Sequence, residues 1–237
     1  MARKQHISRL ATPQTWPIKR KGIKWIIKPS PGPHKLSYSM PLVVFLRDII
    51  QITKTAKGSK NILTKGLIKI NGKVVRKEKF PVGLFDVIEI PSIKKQWRVL
   101  FNKKGKLATL EIPETEAKLL PVKVTSKKTL GKGKIQLNLS NGWNLLDNKE
   151  YKVGDILLLD TEKKTVAKHI KLQKGVLAYL IGGKHIGYIA TLKEIKETGI
   201  LRKEKIAILE TPEKETWQSP LDQIFAIGEK ASEIKLD

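Results

Sequence analysis

The first forty residues constrain this chain most, because they contain nine Lys and Arg and no Asp or Glu. Five prolines interrupt the same segment, and Trp16 and Trp25 lie among the cations. Prolines disrupt regular helix and sheet, and so many like charges oppose the formation of a local core. We therefore predict that residues 1–40 form an extended basic arm with short local turns, suited to lying along a polyanion.

Aromatic rings in the arm favour RNA as that polyanion, since indole and imidazole rings can stack on exposed bases. The alternative is a disordered, solubilising tail. Such tails rarely carry two tryptophans, because exposed indole is usually docked on something. The arm's candidate RNA-binding residues are Arg3, Lys4, His6, Arg9, Lys19, Arg20, Lys21, Lys24, Lys28, His34 and Lys35.

The charge of the whole chain agrees with a nucleic-acid partner. The 237 residues carry a formal net charge of +25, and the pI of about 10.1 exceeds the level typical of nucleic-acid-binding domains. The charge is uneven, because residues 200–237 hold six basic and eight acidic side chains. The cations are therefore concentrated toward the N-terminal end, where we expect phosphates to be met.

Several classes of protein are disfavoured. The chain has no cysteine, so disulfides and thiolate metal sites are excluded, which fits a reducing cytoplasm. No apolar run approaches the length of a membrane span, and the first residues lack the apolar stretch of a signal peptide. Four histidines lie far apart, and the GxSxG, HExxH and GxGxxG patterns are missing. We expect no catalytic residue, no metal site and no cofactor.

Residues 41–91 predict a small α+β domain. An amphipathic helix should begin at Pro41, because apolar residues follow it at spacings of three and four. Asn71-Gly72 between short apolar runs is a strong hairpin signal, and residues 86–90 alternate as a strand. A solvated basic face is the alternative to an RNA-binding surface here, but charge on neighbouring elements favours RNA. The candidate RNA-binding residues are Arg47, Lys54, Lys57, Lys60, Lys69, Asn71, Lys73, Arg76 and Lys79.

Residues 92–172 show only β signals, with strand candidates at short spacing, and residues 173–237 read as a second small barrel. The glycine-rich stretch GGKHIG at residues 182–187 could cradle a phosphate. It lacks the length and the Lys-Ser/Thr ending of a P-loop, so a tight β-turn that needs positive φ is the alternative.

Several strings, taken together, resemble the small-subunit ribosomal proteins of the S-four-e class of archaea and eukaryotes, over nearly the whole length. They are MARKQH, PGPHKL, PLVVFLRD, IKINGKVVR, PVGLFDVIEI, GKLATLEIPETEAK, YKVGDILLLD, GGKHIGYIATL and FAIG. The tail after FAIG is acidic and lacks the basic extension of eukaryotic members, which favours an archaeal origin.

The resemblance implies a multidomain, mainly β fold with an α+β part. Its parts are a basic N-terminal extension at 1–40, a small S-four-type RNA-binding domain at 41–91, a central β domain at 92–172, and an SH3-like KOW barrel with a tail at 173–237. The implied function is structural binding of 16S rRNA in the 30S subunit, in the cytoplasm, beside neighbouring small-subunit proteins. No membrane and no small-molecule substrate is implied.

Two other functions stay open from the residues alone. One is an RNA-modifying enzyme that uses residues 41–91 as a targeting module, although the residues after Ser92 show no catalytic pattern. The other is a free translation or transcription factor that binds RNA transiently. Retention of the protein on ribosomal subunits would separate these readings.

Overall fold

A computed structural model describes residues 5–131, 134–147, 150–198, 204–229 and 231–236. The chain divides into two compact units. Unit 1 comprises Met1–Leu100 and Lys106–Leu120, and unit 2 comprises Phe101–Gly105 and Pro121–Asp237. The four-part division predicted from the sequence is finer than this one and stays a prediction.

Within the described residues, unit 1 combines three sheets with three α- or π-helical segments and three short 3-10 turns. In chain order its elements are β1 (His6–Ser8), β2 (Trp25–Ile27), β3 (Ser39–Pro41), α1 (Leu42–Val44) continued by a π-helical segment (Phe45–Ile49), α2 (Ala56–Thr64), β4 (Lys69–Ile70), β5 (Lys73–Val74), β6 (Pro81–Gly83), β7 (Val87–Ile90), β8 (Lys95–Phe101), β9 (Leu107–Glu111) and α3 (Glu114–Ala117). Residue Phe101 at the end of β8 falls in unit 2.

The helix predicted to begin at Pro41 is confirmed, but it changes from α-helical to π-helical geometry after Val44. Pro41 is the N-cap of α1, and residues 42–46 are all buried. The backbone N–H of Ile50 donates to the Phe45 carbonyl at 2.9 Å, five residues earlier, which widens the last turns. The apolar spacing thus predicted the helix and its buried face, but not the π geometry.

The largest sheet of unit 1 has the strand order β5-β4-β7-β8-β9. The predicted Asn71-Gly72 hairpin is confirmed: it joins β4 to β5, and both residues have positive φ, 50° and 75°. The sequence places residues 95–111 with the strands that follow them, but in the structure β8 pairs antiparallel with β7. A three-residue 3-10 turn at Pro91–Ile93, followed by Lys94 at φ 55°, folds β8 straight back onto β7.

The arm is folded against unit 1, so our expectation of an extended segment is wrong for residues 5–40. Strands β1 and β2 pair with each other, and Trp16, Ile18 and Ile26 are buried. The Trp16 indole N–H donates to the Ser39 carbonyl at 2.9 Å. Main-chain bonds join the arm to the rest of unit 1, since the Ser30 N–H donates to the Lys79 carbonyl and the Leu107 N–H to the Thr15 carbonyl, both at 2.8 Å. Composition alone cannot reveal these contacts.

Unit 2 contains two five-stranded sheets, with orders β12-β11-β10-β13-β14 and β18-β17-β16-β15-β19. The strands are β10 (Leu119–Thr129), β11 (Ile135–Leu139), β12 (Asn144–Leu146), β13 (Ile156–Asp160), β14 (Val166–Ile170), β15 (Leu177–Leu180), β16 (Ile189–Thr198), β17 (Glu204–Glu210), β18 (Thr216–Pro220) and β19 (Ile224–Gly228). The second sheet encloses a core that includes Leu180, Leu192 and Leu209. The chain is therefore mainly β with few helices, as predicted.

Candidate nucleic-acid interface

Helix α2 presents exposed lysines. Its N-cap is Thr55, whose hydroxyl accepts a hydrogen bond from the Gly58 N–H at 3.2 Å. Lys57 and Lys60 are exposed one turn apart, and the helix contains no acidic residue. Lys54, just before the helix, is exposed as well. The helix therefore offers Lys ammonium groups that no acid within it neutralises.

Arg76 brings the hairpin's charge next to this helix. Its guanidinium lies 3.4 Å from where a Cβ would stand on Gly66, two residues after α2 ends. Lys73 is exposed on β5, and Lys69 is half-buried opposite Val74 and Glu89. Neighbouring elements thus present the same sign of charge, the arrangement that the sequence predicted for an RNA-binding surface.

Asn71, a predicted RNA-binding residue, stabilises the fold. Its side chain is buried. The amide donates to Asp86 Oδ1 at 2.8 Å and accepts from the Val87 N–H at 2.9 Å. These bonds fasten the hairpin turn to the start of β7, so the side chain is committed inside the protein.

Asp86 links this hairpin to the arm. Besides the Asn71 amide, its buried carboxylate accepts the Gly83 N–H at 2.8 Å and forms an ion pair with His34 Nε2 at 2.9 Å. Burial by itself would lower the pKa of His34, but the charge and hydrogen bond of Asp86 outweigh it, so the pKa is raised. Gly83 has to lack a side chain, since a Cβ there would overlap the His34 ring.

Arg9 and Arg20 are used mainly within the arm. One guanidinium nitrogen of Arg20 donates to the carbonyls of Arg9 and Thr12, both at 3.0 Å, and the other donates to the Pro13 carbonyl at 3.0 Å. Arg9 donates in return to the Lys19 carbonyl at 3.0 Å. These bonds close the loop between β1 and β2. Two predicted RNA ligands are therefore already hydrogen-bonded within the arm.

Two other predicted cations have partners within unit 1. Arg47 forms a two-bond ion pair with the adjacent Asp48, both bonds being 2.7 Å long, and its pKa is raised by that hydrogen bond. Lys79 donates to the Gln5 side-chain oxygen at 2.6 Å. Both residues are partly exposed, so they can still add positive potential to the surface.

The rest of the arm's candidates lie on its surface. Exposed side chains there are His6, Lys19, Lys21, Lys24, Lys28 and Lys35. Arg3 and Lys4 lie outside the described residues. The exposed lysines, together with those of α2 and the hairpin, form the candidate interface of unit 1.

The two tryptophans of the arm differ in exposure, which the sequence does not predict. Trp16 is 1% exposed, whereas Trp25 is 54% exposed on β2. Both stand in Lys- and Pro-rich surroundings, and nothing in the sequence tells a docked indole from a displayed one. The fold separates them: Trp16, which lies between β1 and β2 in the sequence, is buried with its N–H bonded to the Ser39 carbonyl, and Trp25 is displayed on β2.

The glycine-rich turn of unit 2 is a tight β-connection. Gly183 and Gly187 have φ near +82° and +83°, which confirms the turn predicted as the alternative to a phosphate cradle. A Cβ on Gly187 would stand 2.5 Å from the Asn102 carbonyl oxygen, so protein backbone occupies the space beside it. His185 in the same turn stacks on Trp217, with ring centroids 3.8 Å apart.

Two other features are absent from the residues that the structure describes. No three His, Cys, Asp or Glu side chains of those residues stand where they could hold a metal ion. No helix among them is long and apolar enough to cross a membrane.

Comparisons with known proteins agree over nearly the whole chain. The RS4NT (NUC023) domain model matches residues 1–37, and the model of Ribosomal family S4e matches residues 93–166. Small ribosomal subunit protein eS4 of Archaeoglobus fulgidus is 38% identical over 230 residues, covering 96% of this chain and 95% of that protein. The protein of the same name from Methanocaldococcus jannaschii is 36% identical, covering 98% of each.

A solved structure gives the same answer for the fold. The crystal structure of the 30S ribosomal protein S4e from Thermoplasma acidophilum superposes with a TM-score of 0.70 at 28% sequence identity. The match covers 84% of this chain and 99% of that one. With a relative 38% identical over almost the entire length, the chain is an archaeal member of the ribosomal protein family S4e.

Proposed function

We propose that this protein is a structural constituent of the small ribosomal subunit that binds 16S rRNA through the basic surface of unit 1. The observation that carries the proposal is its near-full-length similarity to proteins named small ribosomal subunit protein eS4. We assign it no catalytic activity and no cofactor. Its place is in the ribosome, in the cytoplasm.

The distribution of charge supports unit 1 as the RNA-binding part. By sequence, unit 1 holds 24 Lys and Arg against 7 Asp and Glu, whereas unit 2 holds 23 against 15. Excess cations neutralise phosphates and release their counterions, and this release drives binding without regard to base sequence. Unit 2 carries the smaller excess of cations, and we assign it contacts with neighbouring ribosomal proteins as well as rRNA.

The surface of unit 1 is preformed, which distinguishes it from a tail that orders on RNA. Arg9 and Arg20 close the loop of the arm, and the Asp86 carboxylate joins the arm to the hairpin through His34 and Asn71. A rigid array of cations matches the shape of an RNA backbone without first losing conformational entropy. We therefore propose recognition of rRNA shape by α2, the hairpin and the arm.

The finer division of the chain belongs to the same proposal. Residues 41–91 would be an S-four-type RNA-binding domain, residues 92–172 a central β domain, and residues 173–237 a KOW-type barrel. Supporting this, residues 41–91 carry exposed lysines on α2 and β5, and the second sheet of unit 2 begins at β15 (Leu177–Leu180). The pairing of β8 with β7 argues for extending the second part beyond residue 91.

Fractionation of ribosomes tests the proposed role directly. We expect the native protein to stay on small subunits in a sucrose gradient, in stoichiometric amounts, before and after a high-salt wash. Recovery only in the free fraction would contradict the proposal and favour a dissociable factor or an RNA-modifying enzyme.

Charge reversal tests the surface. Lys57→Glu with Lys60→Glu should weaken binding to 16S rRNA by roughly 10-fold or more at moderate salt, because two phosphate contacts are replaced by repulsion. The matched control is Lys127→Glu with Lys128→Glu, two exposed lysines on β10 in unit 2. It changes the net charge equally and should have a much smaller effect. Equal losses in both variants would point to net charge alone.

A further inference from the structure

The outer face of the β1–β2 ribbon displays apolar side chains. Antiparallel partners share a face of a ribbon, and His6 pairs with Ile27, Ile7 with Ile26, and Ser8 with Trp25. Ile26 is buried and His6 is exposed. The Ile7–Ile26 side therefore packs inward, and the side that carries His6 and Trp25 faces outward.

The same exposure continues past the end of the ribbon. The Arg9 N–H donates to the Lys24 carbonyl at 2.9 Å, one step beyond the Ser8–Trp25 pair, and Leu10 and Ile23 flank that bond. Leu10 is 78% exposed, Ile23 73% and Trp25 54%. We call these three residues and His6 the ribbon face. Large apolar side chains clustered in the open mark an interaction site.

The rim of the ribbon face indicates the chemistry of its partner. Lys24 and Lys28 flank β2 and are exposed, as are Lys19 and Lys21 in the loop before it, and residues 5–40 contain no acid. The Lys24 ammonium lies 5.2 Å from the centroid of the Trp25 ring. That ammonium lies over the ring face on a flexible side chain. A nucleotide suits this arrangement, since its base can stack on the ring in place of Lys24, whose ammonium then meets the phosphate. A wholly positive rim disfavours a second copy of this chain.

From this geometry we infer that Trp25 is a stacking platform for an unpaired rRNA base. The inference rests on the proposed function. It adds an unpaired base as a ligand, whereas the lysines contact only the RNA backbone. Bases inside a duplex offer no free face, so the target is a loop, bulge or strand end. Leu10 and Ile23 extend the platform to neighbouring bases or riboses.

Affinity for 16S rRNA transcript, measured with the full-length protein, provides the first test. Trp25→Ala should weaken binding roughly 10- to 100-fold, and Trp25→Phe should keep most of the affinity because a ring remains. Ile93→Ala is the matched control, since Ile93 is an apolar side chain 48% exposed outside the arm. It should bind as the wild type does.

Salt dependence and fluorescence separate stacking from other effects. Stacking releases no counterions, so Trp25→Ala should leave the slope of log affinity against log salt unchanged, whereas Lys57→Glu with Lys60→Glu should lower it. Indole fluorescence should be quenched by the RNA in the wild type, and this quenching should largely disappear in Trp25→Phe.

The outcomes distinguish failure of this inference from failure of the proposed function. Wild-type affinity in Trp25→Ala, with weakened binding in the lysine variant, overturns the inference alone. Wild-type affinity in both variants overturns both. Equal losses in Trp25→Ala and Trp25→Phe without quenching would make Trp25 structural. Unchanged RNA affinity with lost retention on small subunits would identify a protein as the partner, which also overturns the inference.

Discussion

His34 and Asp86 show how a charged residue of the arm contributes to folding. The His34 side chain is 9% exposed, and its partner carboxylate is 3% exposed. Three groups converge on this carboxylate: the His34 ring, the Asn71 amide and the Gly83 N–H. A buried charge is tolerated only when it is paired and hydrogen-bonded in this way. The pair therefore fixes the arm to the hairpin.

This pair predicts a pH dependence of stability. The folded-state pKa of His34 lies above the ordinary value of 6.5, so its contribution is fully present below about pH 6.5 and is lost as pH rises through the folded pKa. We expect His34→Gln to lower the free energy of unfolding by about 1–3 kcal/mol at pH 6. The deficit should shrink toward pH 9. Denaturant titrations across this range check it, and a constant deficit would contradict the assigned ion pair.

Residue type predicted which side chains are exposed better than it predicted which groups they contact. The sequence correctly identified a cationic surface, and Lys57, Lys60 and the arm's lysines are exposed. It could not separate them from Arg20, whose guanidinium is occupied by main-chain carbonyls, or from the buried Asn71. Those roles depend on which carbonyls and carboxylates the fold brings within reach, and composition contains no such information.

At the scale of elements, the arm is where sequence reasoning failed. Prolines and like charges suggested a segment without structure of its own. Yet Trp16, Ile18 and Ile26 are buried, and main-chain hydrogen bonds join the arm to Lys79 and Leu107 in other parts of unit 1. The helix at Pro41 and the Asn71-Gly72 hairpin were predictable, since each depends on local periodicity or local turn chemistry.

Docking of the arm predicts resistance to protease in the absence of RNA. Trp16→Ala should lower the free energy of unfolding by about 3–5 kcal/mol and expose the arm to trypsin at Lys19 and Lys21. The exposed Trp25 serves as the control, because Trp25→Ala should change the free energy of unfolding by no more than about 0.5 kcal/mol. Limited proteolysis and thermal unfolding measure both. Equally fast cleavage of the wild type would mean that the arm is undocked in the free protein.

For the whole molecule, the sequence predicted the mainly β fold and the bias of charge, but it did not predict how strands are shared between sheets. Short turn-bounded strands indicate β structure wherever they pair. Whether β8 continues the first sheet or begins another depends on the short turn at Pro91–Ile93 and on pairing with β7. A list of strand candidates leaves that choice open.

The uneven charge leads to a last prediction about the complete protein on 16S rRNA. Log affinity should fall linearly with log salt, and the magnitude of this negative slope should be roughly 0.7–0.9 for each phosphate neutralised. Because unit 1 holds the larger excess of cations, Lys57→Glu with Lys60→Glu should reduce this slope by roughly 2. Lys127→Glu with Lys128→Glu should leave it nearly unchanged. Filter binding over a series of salt concentrations measures all three proteins. A larger fall in the β10 variant would move the phosphate-binding surface to unit 2.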